Sequence, residues 1–452
     1  MPFCQEGPKY LFTTQTHCVL RESVSAFFLV FLLISIVGQN PVISDIGMSD
    51  PHMRIFNDTL YLYCGHDNHP DDTTWVMKEW RVFSSPNLLD WNLAGTISPK
   101  DNYMSDLSED CWAGDASSRD GTYYFYFSDR KRGIGVMSSD HPGGPFTDEL
   151  GKPLISPMHD PTILIEDNAE HTPYMIYGDK EGGFHAVRLH TDMISLAESP
   201  RPLTIIGEEW ESAPDWMDKN YIFKHGGTYY LSWGRDYATS ESIYGPYTCA
   251  GAVGQGFHLD EYAHGSFFHW KGQFYHMWCY YLRPGFKYRE TIITYCHMDD
   301  QGSIVTDTKF LDSHYENGVG QYDASWSEIQ AEWYYDWSPG LNKTGNREAG
   351  FEISGMIDGC WLKFANVEFH GIEESFMAQL SNVEGEGKIE IRIDSLSGPL
   401  LGWVDVQEAD PNRGSGVVSS EIKGLSGQRD LYLKVSGDSE TRFNLDWFNF
   451  SE

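Results

Sequence analysis

The feature that most constrains this chain is a hairpin that keeps returning. In residues 48–63, MSDPHMRIFNDTLYLY, a polar opening at Ser49, Asp50, Pro51 and His52 runs into an alternating strand, and a turn at Asn57 and Asp58 reverses it into a second strand. The same order of polar opening, alternating strand, turn and aromatic return strand recurs in GDASSRDGTYYFYF from Gly114 and DPTILIEDNAEHTPYMIY from Asp160. It recurs again in YIFKHGGTYYLSW from Tyr221, after an acidic approach over 208–218, and in HGSFFHWKGQFYHMW from His264. Units spaced at roughly 45 to 65 residues suit blades of about four strands each, and their number predicts a five-bladed β-propeller. In a propeller the first strand of every blade lines the central channel, so the polar openings, Asp115 of the second blade included, converge on one mouth. Asp and Gly also begin turns for purely local reasons; their recurrence at the openings is what makes them a candidate site.

A length of 452 residues exceeds one ordinary domain and predicts two. Past residue 312 the rhythm stops. Residues 318–325 read as a linker, and 326–452 carry short alternating strands, KIEIRI at 388–393 and DLYLKV at 430–435, between Gly- and Ser-rich turns, the pattern of a β-sandwich. The chain is therefore expected to be all-β: a propeller over 39–317, then a jelly-roll sandwich. An aromatic content of 15% with 44 glycines agrees with strands, stacking surfaces and many turns.

A formal net charge of -34 excludes nucleic acid and anionic membrane as partners, since both would repel the chain, and leaves a neutral glycan compatible. Residues 26–38, AFFLVFLLISIVG, have the length of a signal-peptide core and are short for a membrane span. They predict export with cleavage near Gly38 to Asn40, with no membrane partner afterwards; retention as an anchor is the alternative. Of eight cysteines, Cys4 and Cys18 precede that run, and the other six form no CxxC pair, which argues against a zinc site.

Hydrolysis of a glycosidic bond needs two carboxyl groups, one protonating the leaving oxygen and one acting as base or nucleophile. Asp50 and Asp160, each followed by proline, open the first and third blades, and Glu208, Glu209, Glu211, Asp215 and Asp218 crowd the approach to the fourth. With SDPH at 49–52, CWAGDASSRDGTYYFY at 111–126, HDPTILI at 159–165, KHGGTYYLSW at 224–233 and AHGSFF at 263–268, residues 45–310 resemble glycoside hydrolase family 43. That resemblance implies an inverting glycosidase in which Asp50 is the general base, Asp160 the carboxylate that orients and tunes the acid, and Glu211 in ESAP the acid. Glu211 lies farther before Lys224 than the family's usual spacing, and Asp218 stands at the usual one, so both stay open as the acid. The resemblance further implies Arg289 at the sugar and His264 beside an axial calcium ion; Trp112 is placed either to stack on the sugar or to pack in the blade core.

The stretches SEIQAEWYYDW at 327–337 and RFNLDWFNF at 442–450 resemble carbohydrate-binding module family 6. This implies a structural calcium held by Gln330, Glu332 and Asp446, all oxygen donors. Of the two aromatic rings that hold sugar in the family's usual cleft, the first position is Met356 here and the second falls in 410–422, which has no aromatic residue. Weak binding at that cleft, or use of another face, is the expectation. Taken together these readings predict a secreted, exo-acting hydrolase of polysaccharide side chains. An α-L-arabinofuranosidase comes first and a β-xylosidase next, with other activities of that family and a non-catalytic glycan-binding protein as rivals.

Overall fold

The structure is a computed structural model that describes residues 40–452 except 106, 130, 180–182, 208–217, 255–256, 260–263 and 410–414. The predicted export signal and Glu211 lie outside the described residues.

Five sheets follow one another in chain order, four of them of four antiparallel strands and the fourth of five, where Ile205–Ile206 pairs in parallel with Tyr247–Ala252. Their innermost strands are Met48–Phe56, Cys111–Arg119, His159–Ile165, Asn220–His225 and Gly265–Trp270, and each touches the next around a ring in which the fifth meets the first. This is the five-bladed propeller that the repeated hairpins predict. The hairpin turns form where both central residues tolerate a left-handed backbone: Asn57 and Asp58 (φ 50° and 57°), Asp120 and Gly121 (51° and 82°), and Lys271 and Gly272 (51° and 75°). Apolar side chains from the facing blades fill the space between them. Trp80 of the first blade packs edge-on to Phe125 of the second at 5.5 Å, inside a cluster with Tyr63, Val82, Phe127 and Met137. Truncating Trp80, which is 1% exposed, would cost about 3–5 kcal/mol from lost burial and the cavity left behind.

The ring is fastened where the fifth blade meets the start of the described chain. Asn40 Nδ2 donates to Ile293 O and its Oδ1 accepts from Ile293 N, both at 2.9 Å, and Val42 N donates to Thr291 O at 2.8 Å. A short helix, Thr308–His314, capped by Asp307, then leads into the sandwich.

The sandwich has two sheets. One contains Trp361–His370, Ser426–Gly437, Gly387–Ile393 and Leu400–Asp405; the other contains Asn342–Asn346, Gly350–Ile357, Arg442–Ser451, Ser375–Glu384 and Ser415–Glu421. Tyr322 and Asp323, within the segment read as a linker, pair in parallel with Val367 and Glu368, so that segment is built into the sandwich edge. Polar groups join the sandwich to the fifth blade: Gln273 Nε2 donates to Glu332 O and Tyr334 O, both at 2.9 Å, and Lys343 Nζ lies 2.6 Å from Gln273 Oε1 and 2.9 Å from His297 Nδ1. Gly272 is required there, because a Cβ would stand 2.0 Å from Trp337 Nε1.

Candidate active site

Asp50 and Asp160 share an unusual backbone. Each has a left-handed φ, 49° and 53°, and each sits where its strand slips register against its partner, between Ser49 and His52 in the first blade and opposite Ile176 to Gly178 in the third. A residue with a Cβ seldom adopts this conformation, and a bulge re-aims the side chain relative to the pleat. The following proline, which has no N–H to contribute to a ladder, fits at such a break. Both carboxylates line one cavity of about 950 Å³ together with Trp112, Arg289 and Asp218.

Asp50 belongs to the first blade but is held by the fifth. Arg289 Nη1 donates to Asp50 Oδ1 at 2.7 Å, and the Asp50 N–H points to Cys279 Sγ at 3.2 Å. The same guanidinium forks onto Asp67, Nε to Oδ2 at 2.9 Å and Nη2 to Oδ1 at 2.8 Å, and Asp67 is 1% exposed. This is the planar two-point geometry that suits arginine and not lysine. Burial raises the Asp67 carboxyl above its ordinary value, with Arg289 pulling against that shift. Arg289 thus clamps Asp50 from behind as well as lining the cavity.

Asp160 is treated differently. Its N–H donates to Ser128 Oγ at 2.5 Å and its Oδ2 accepts from the Lys219 N–H at 2.8 Å. Burial alone would raise it; His159, His264 and Lys219 outweigh that and hold it below the usual carboxylate range. Asp218, two residues before the fourth blade's innermost strand begins at Asn220, moves the opposite way. Burial foremost, with Asp160 and Asp50 adding repulsion against the opposing pull of Lys219 and His159, pushes its carboxyl up to about 6. Two neighbouring acids driven apart in this manner are what separates a proton donor from an ionised carboxylate.

The cavity wall contains aromatic residues that the sequence reading missed. Trp75, in the loop after Asp67, stands edge-on to Trp112 at 6.1 Å, and its Nε1 donates to Tyr281 Oη at 3.2 Å. Lys287 Nζ covers the Trp75 ring at 4.3 Å, and Arg283 Nη2 reaches Asp71 Oδ1 at 2.6 Å, so loops of the first and fifth blades clasp each other over the site.

Asp115 requires a correction. Instead of opening at the mouth it lies fully buried in the channel, where Arg54 Nε donates to its Oδ1 at 2.8 Å, His52 Nδ1 stands 3.3 Å away, and its Oδ2 accepts from the Ile163 N–H at 2.7 Å. Burial works against its charge, but Arg54 and His52 overcome that and keep it far below the usual carboxylate range. It is a structural anion on the axis. His52 Nε2 meets His264 Nε2 at 2.9 Å, and His264 Nδ1 faces Asp50 Oδ1 at 3.8 Å without a hydrogen bond. Burial and then His52 push the His264 imidazole down to about 4, so a neutral ring with an unsatisfied nitrogen faces Asp50. A cation or water beside that nitrogen fits its chemistry.

In the sandwich, Glu332 is 5% exposed and its Oε2 has no hydrogen-bond partner. Burial and then Asp307 drive its carboxyl well above the ordinary value, and Asp446 is also among its close charges. A buried bare carboxylate oxygen fits a hard cation. Gln330 is buried, its amide nitrogen donating to Glu328 Oε2 at 3.0 Å. Among the described residues no three His, Cys, Asp or Glu side chains form a metal cage, so a cation here would also need amide or backbone oxygens. Met356 is wholly buried in the sandwich core and offers no surface to a sugar.

A propeller whose channel mouth gathers three acids beneath an aromatic wall is the framework of a glycoside hydrolase. The family models agree: residues 38–237 match glycosyl hydrolases family 43, and residues 330–452 match the carbohydrate binding module of family 6. The chain carries a family 43 glycosyl hydrolase domain followed by a family 6 carbohydrate binding module and is an enzyme that hydrolyses O-glycosyl bonds. It is 23% identical over 96% of its length to the arabinoxylan arabinofuranohydrolase of Bacillus subtilis (strain 168), covering 96% of that protein. It is 28% identical over 47% of its length to xylosidase/arabinosidase 43A of Humicola insolens, covering 82% of it. Among solved structures, a family 43 β-xylosidase/α-arabinofuranosidase from a compost microbial metagenome, in complex with xylotriose and in a calcium-free form, superposes with a TM-score of 0.52 at 25% identity. That match covers 60% of this chain and 97% of the other.

Proposed function

We propose that this enzyme removes terminal α-L-arabinofuranosyl side chains from a pentose polysaccharide with inversion at the anomeric carbon. The observation that carries this reading is the set of Asp50, Asp160 and Asp218 around one cavity, two of them with carboxyls shifted in opposite directions. Full-length similarity to an arabinoxylan arabinofuranohydrolase supports the sugar. In this mechanism Asp50, oriented by Arg289, takes a proton from the attacking water while an acid protonates the leaving oxygen. Asp218, protonated below about pH 6, is suited to that donation, and Asp160 keeps its proton in place by charge. Glu211 remains the other candidate acid. The relatives that bear both xylosidase and arabinosidase names support β-xylosidase as the second reading. Export by the apolar run at 26–38 and calcium held by Gln330, Glu332 and Asp446, with a further ion beside His264, belong to the same proposal. A bound cation would fix those oxygens and offset buried charge.

The test is hydrolysis of aryl α-L-arabinofuranoside, aryl β-D-xyloside and arabinoxylan, with the first-formed anomer followed by NMR. Release of arabinose with inverted configuration, abolished by Asp50→Ala, is expected. Xylose as the main product would transfer the assignment to the second reading, and a retained configuration would sink the mechanism.

A further inference from the structure

A residue in a strand bulge takes its own N–H out of the ladder, and a buried N–H without a partner is costly. The register of the first blade passes over Asp50 and that of the third over Asp160, so both N–H groups need acceptors from elsewhere. Each finds one on the neighbouring blade. The Asp50 N–H donates to Cys279 Sγ at 3.2 Å, on the second strand of the fifth blade, and the Asp160 N–H to Ser128 Oγ at 2.5 Å, on the second strand of the second blade. Both acceptors are wholly buried, and neither lines the cavity.

These two acceptors occupy one position of the repeat. Counted from the second residue of the hairpin turn, Gly121 or Gly272, Ser128 and Cys279 are each the seventh residue on. The same count from Asp58 reaches Gly65 in the first blade and from Gly227 reaches Gly234 in the fourth. The third blade has Gly178 opposite His159, as the first has Gly65 opposite Ser49. Blades one, three and four therefore carry glycine where two and five carry a hydrogen-bonding side chain. The innermost strands packed against the second strands of blades two and five are those of the third and first blades, the two that hold Asp160 and Asp50. At Gly65 a side chain is excluded, since a Cβ would stand 2.1 Å from Met77 Cε and 2.7 Å from Ser49 Oγ. Burial pushes the Cys279 thiol up to about 12, with Arg289 opposing, so its sulfur is a neutral acceptor that adds no charge behind Asp50.

Resting on the reading of Asp50 as base and Asp160 as orienting carboxylate, we propose that Cys279 and Ser128 are positioning residues. Each captures the N–H that its neighbour's bulge releases and so holds the left-handed backbone that aims a carboxylate into the cavity.

The test measures kcat and KM of the full chain on aryl α-L-arabinofuranoside, aryl β-D-xyloside and arabinoxylan for Cys279→Ala, Ser128→Ala and Cys279→Ser. Ser232→Ala is the control: its hydroxyl, on the second strand of the fourth blade, is also buried and has no hydrogen-bond partner. Loss of aim in either of the first two variants should lower kcat by about tenfold to a hundredfold with KM changed less than about twofold, while Ser232→Ala keeps wild-type kcat. Cys279→Ser retains an acceptor and should recover kcat to within about threefold of wild type. Wild-type kcat in both alanine variants, or Cys279→Ser as slow as Cys279→Ala, would overturn the inference. In a crystal structure of Cys279→Ala the Asp50 carboxylate should move by about 0.5 Å or more; an unmoved carboxylate would overturn the inference whatever the substrate. A wild type inactive on all three substrates would instead overturn the reading on which it rests.

Discussion

Replacing Arg289 by methionine removes the one cation shared by two buried carboxylates. The side chain donates to Asp67 twice, at 2.9 and 2.8 Å, and to Asp50 once, at 2.7 Å, and is itself 5% exposed. Breaking a buried pair by deleting one partner leaves an uncompensated charge and costs about 3–5 kcal/mol. Most of that cost should sit on Asp67, at 1% exposure, because Asp50 opens into the cavity and water can reach it. Arg289→Met is therefore expected to lose about 3–5 kcal/mol, and Arg289→Met combined with Asp67→Leu to regain about 1–3 kcal/mol of it, since the stranded charge is gone. Urea unfolding followed by tryptophan fluorescence measures both. Hydrolysis should stay abolished in the double variant, because Asp50 remains without its orienting donor. A double variant no more stable than the single one would refute the idea that an orphaned Asp67 dominates the loss.

The acid can be located by its pH dependence: because the donor must be protonated, kcat/KM should fall as pH rises through about 6, and Asp218→Asn should erase that limb and slow polymer hydrolysis by about 10²–10⁴-fold. An unchanged limb in Asp218→Asn, with Glu211→Gln inactive, would move the acid to Glu211. Asp115, held low by Arg54 and His52, contributes stability that is complete above the ordinary carboxylate range and disappears as pH falls below it. Asp115→Asn should lower the urea midpoint at pH 7 and flatten its decline toward pH 3; a parallel decline would contradict the anchor role. Chelation should destabilise the protein by an amount set by calcium affinity, about 2.7 kcal/mol for a site held at 100 times its Kd, and Glu332→Gln should remove the module's share of that response. Identical unfolding with and without chelator would remove calcium from the module.

The propeller was legible because its signal is repeated: an opening, an alternating strand and a turn with left-handed residues, once per blade. Asp50 and Asp160 were legible because the Asp-Pro break is itself local. Asp115 was misplaced because spacing gives a strand's faces but not its depth in a channel, and an anion two positions deeper meets Arg54 instead of water. Trp75, Asp67 and Tyr281 carry no periodic mark; they become site residues only when loops of the first and last blades meet. Arg289 was found through the family likeness, yet its hold on Asp67 depends on a pairing between positions 222 residues apart. No pattern within a blade announces such a pairing.

The clamp on Asp50 also has a consequence for how the enzyme is made. Arg289, Cys279 and His264 all come from the last blade, and all three surround a residue from the first. A ribosome that has delivered four blades has therefore delivered a polypeptide whose Asp50, the base in the proposed mechanism, is unanchored. Competence arrives only when the fifth blade emerges and docks against the beginning, so closure of the propeller ring and switching on of hydrolysis are one event. Prematurely terminated products would be inert toward glycans instead of partly active, and a circular permutant opened between the first and last blades would test this directly.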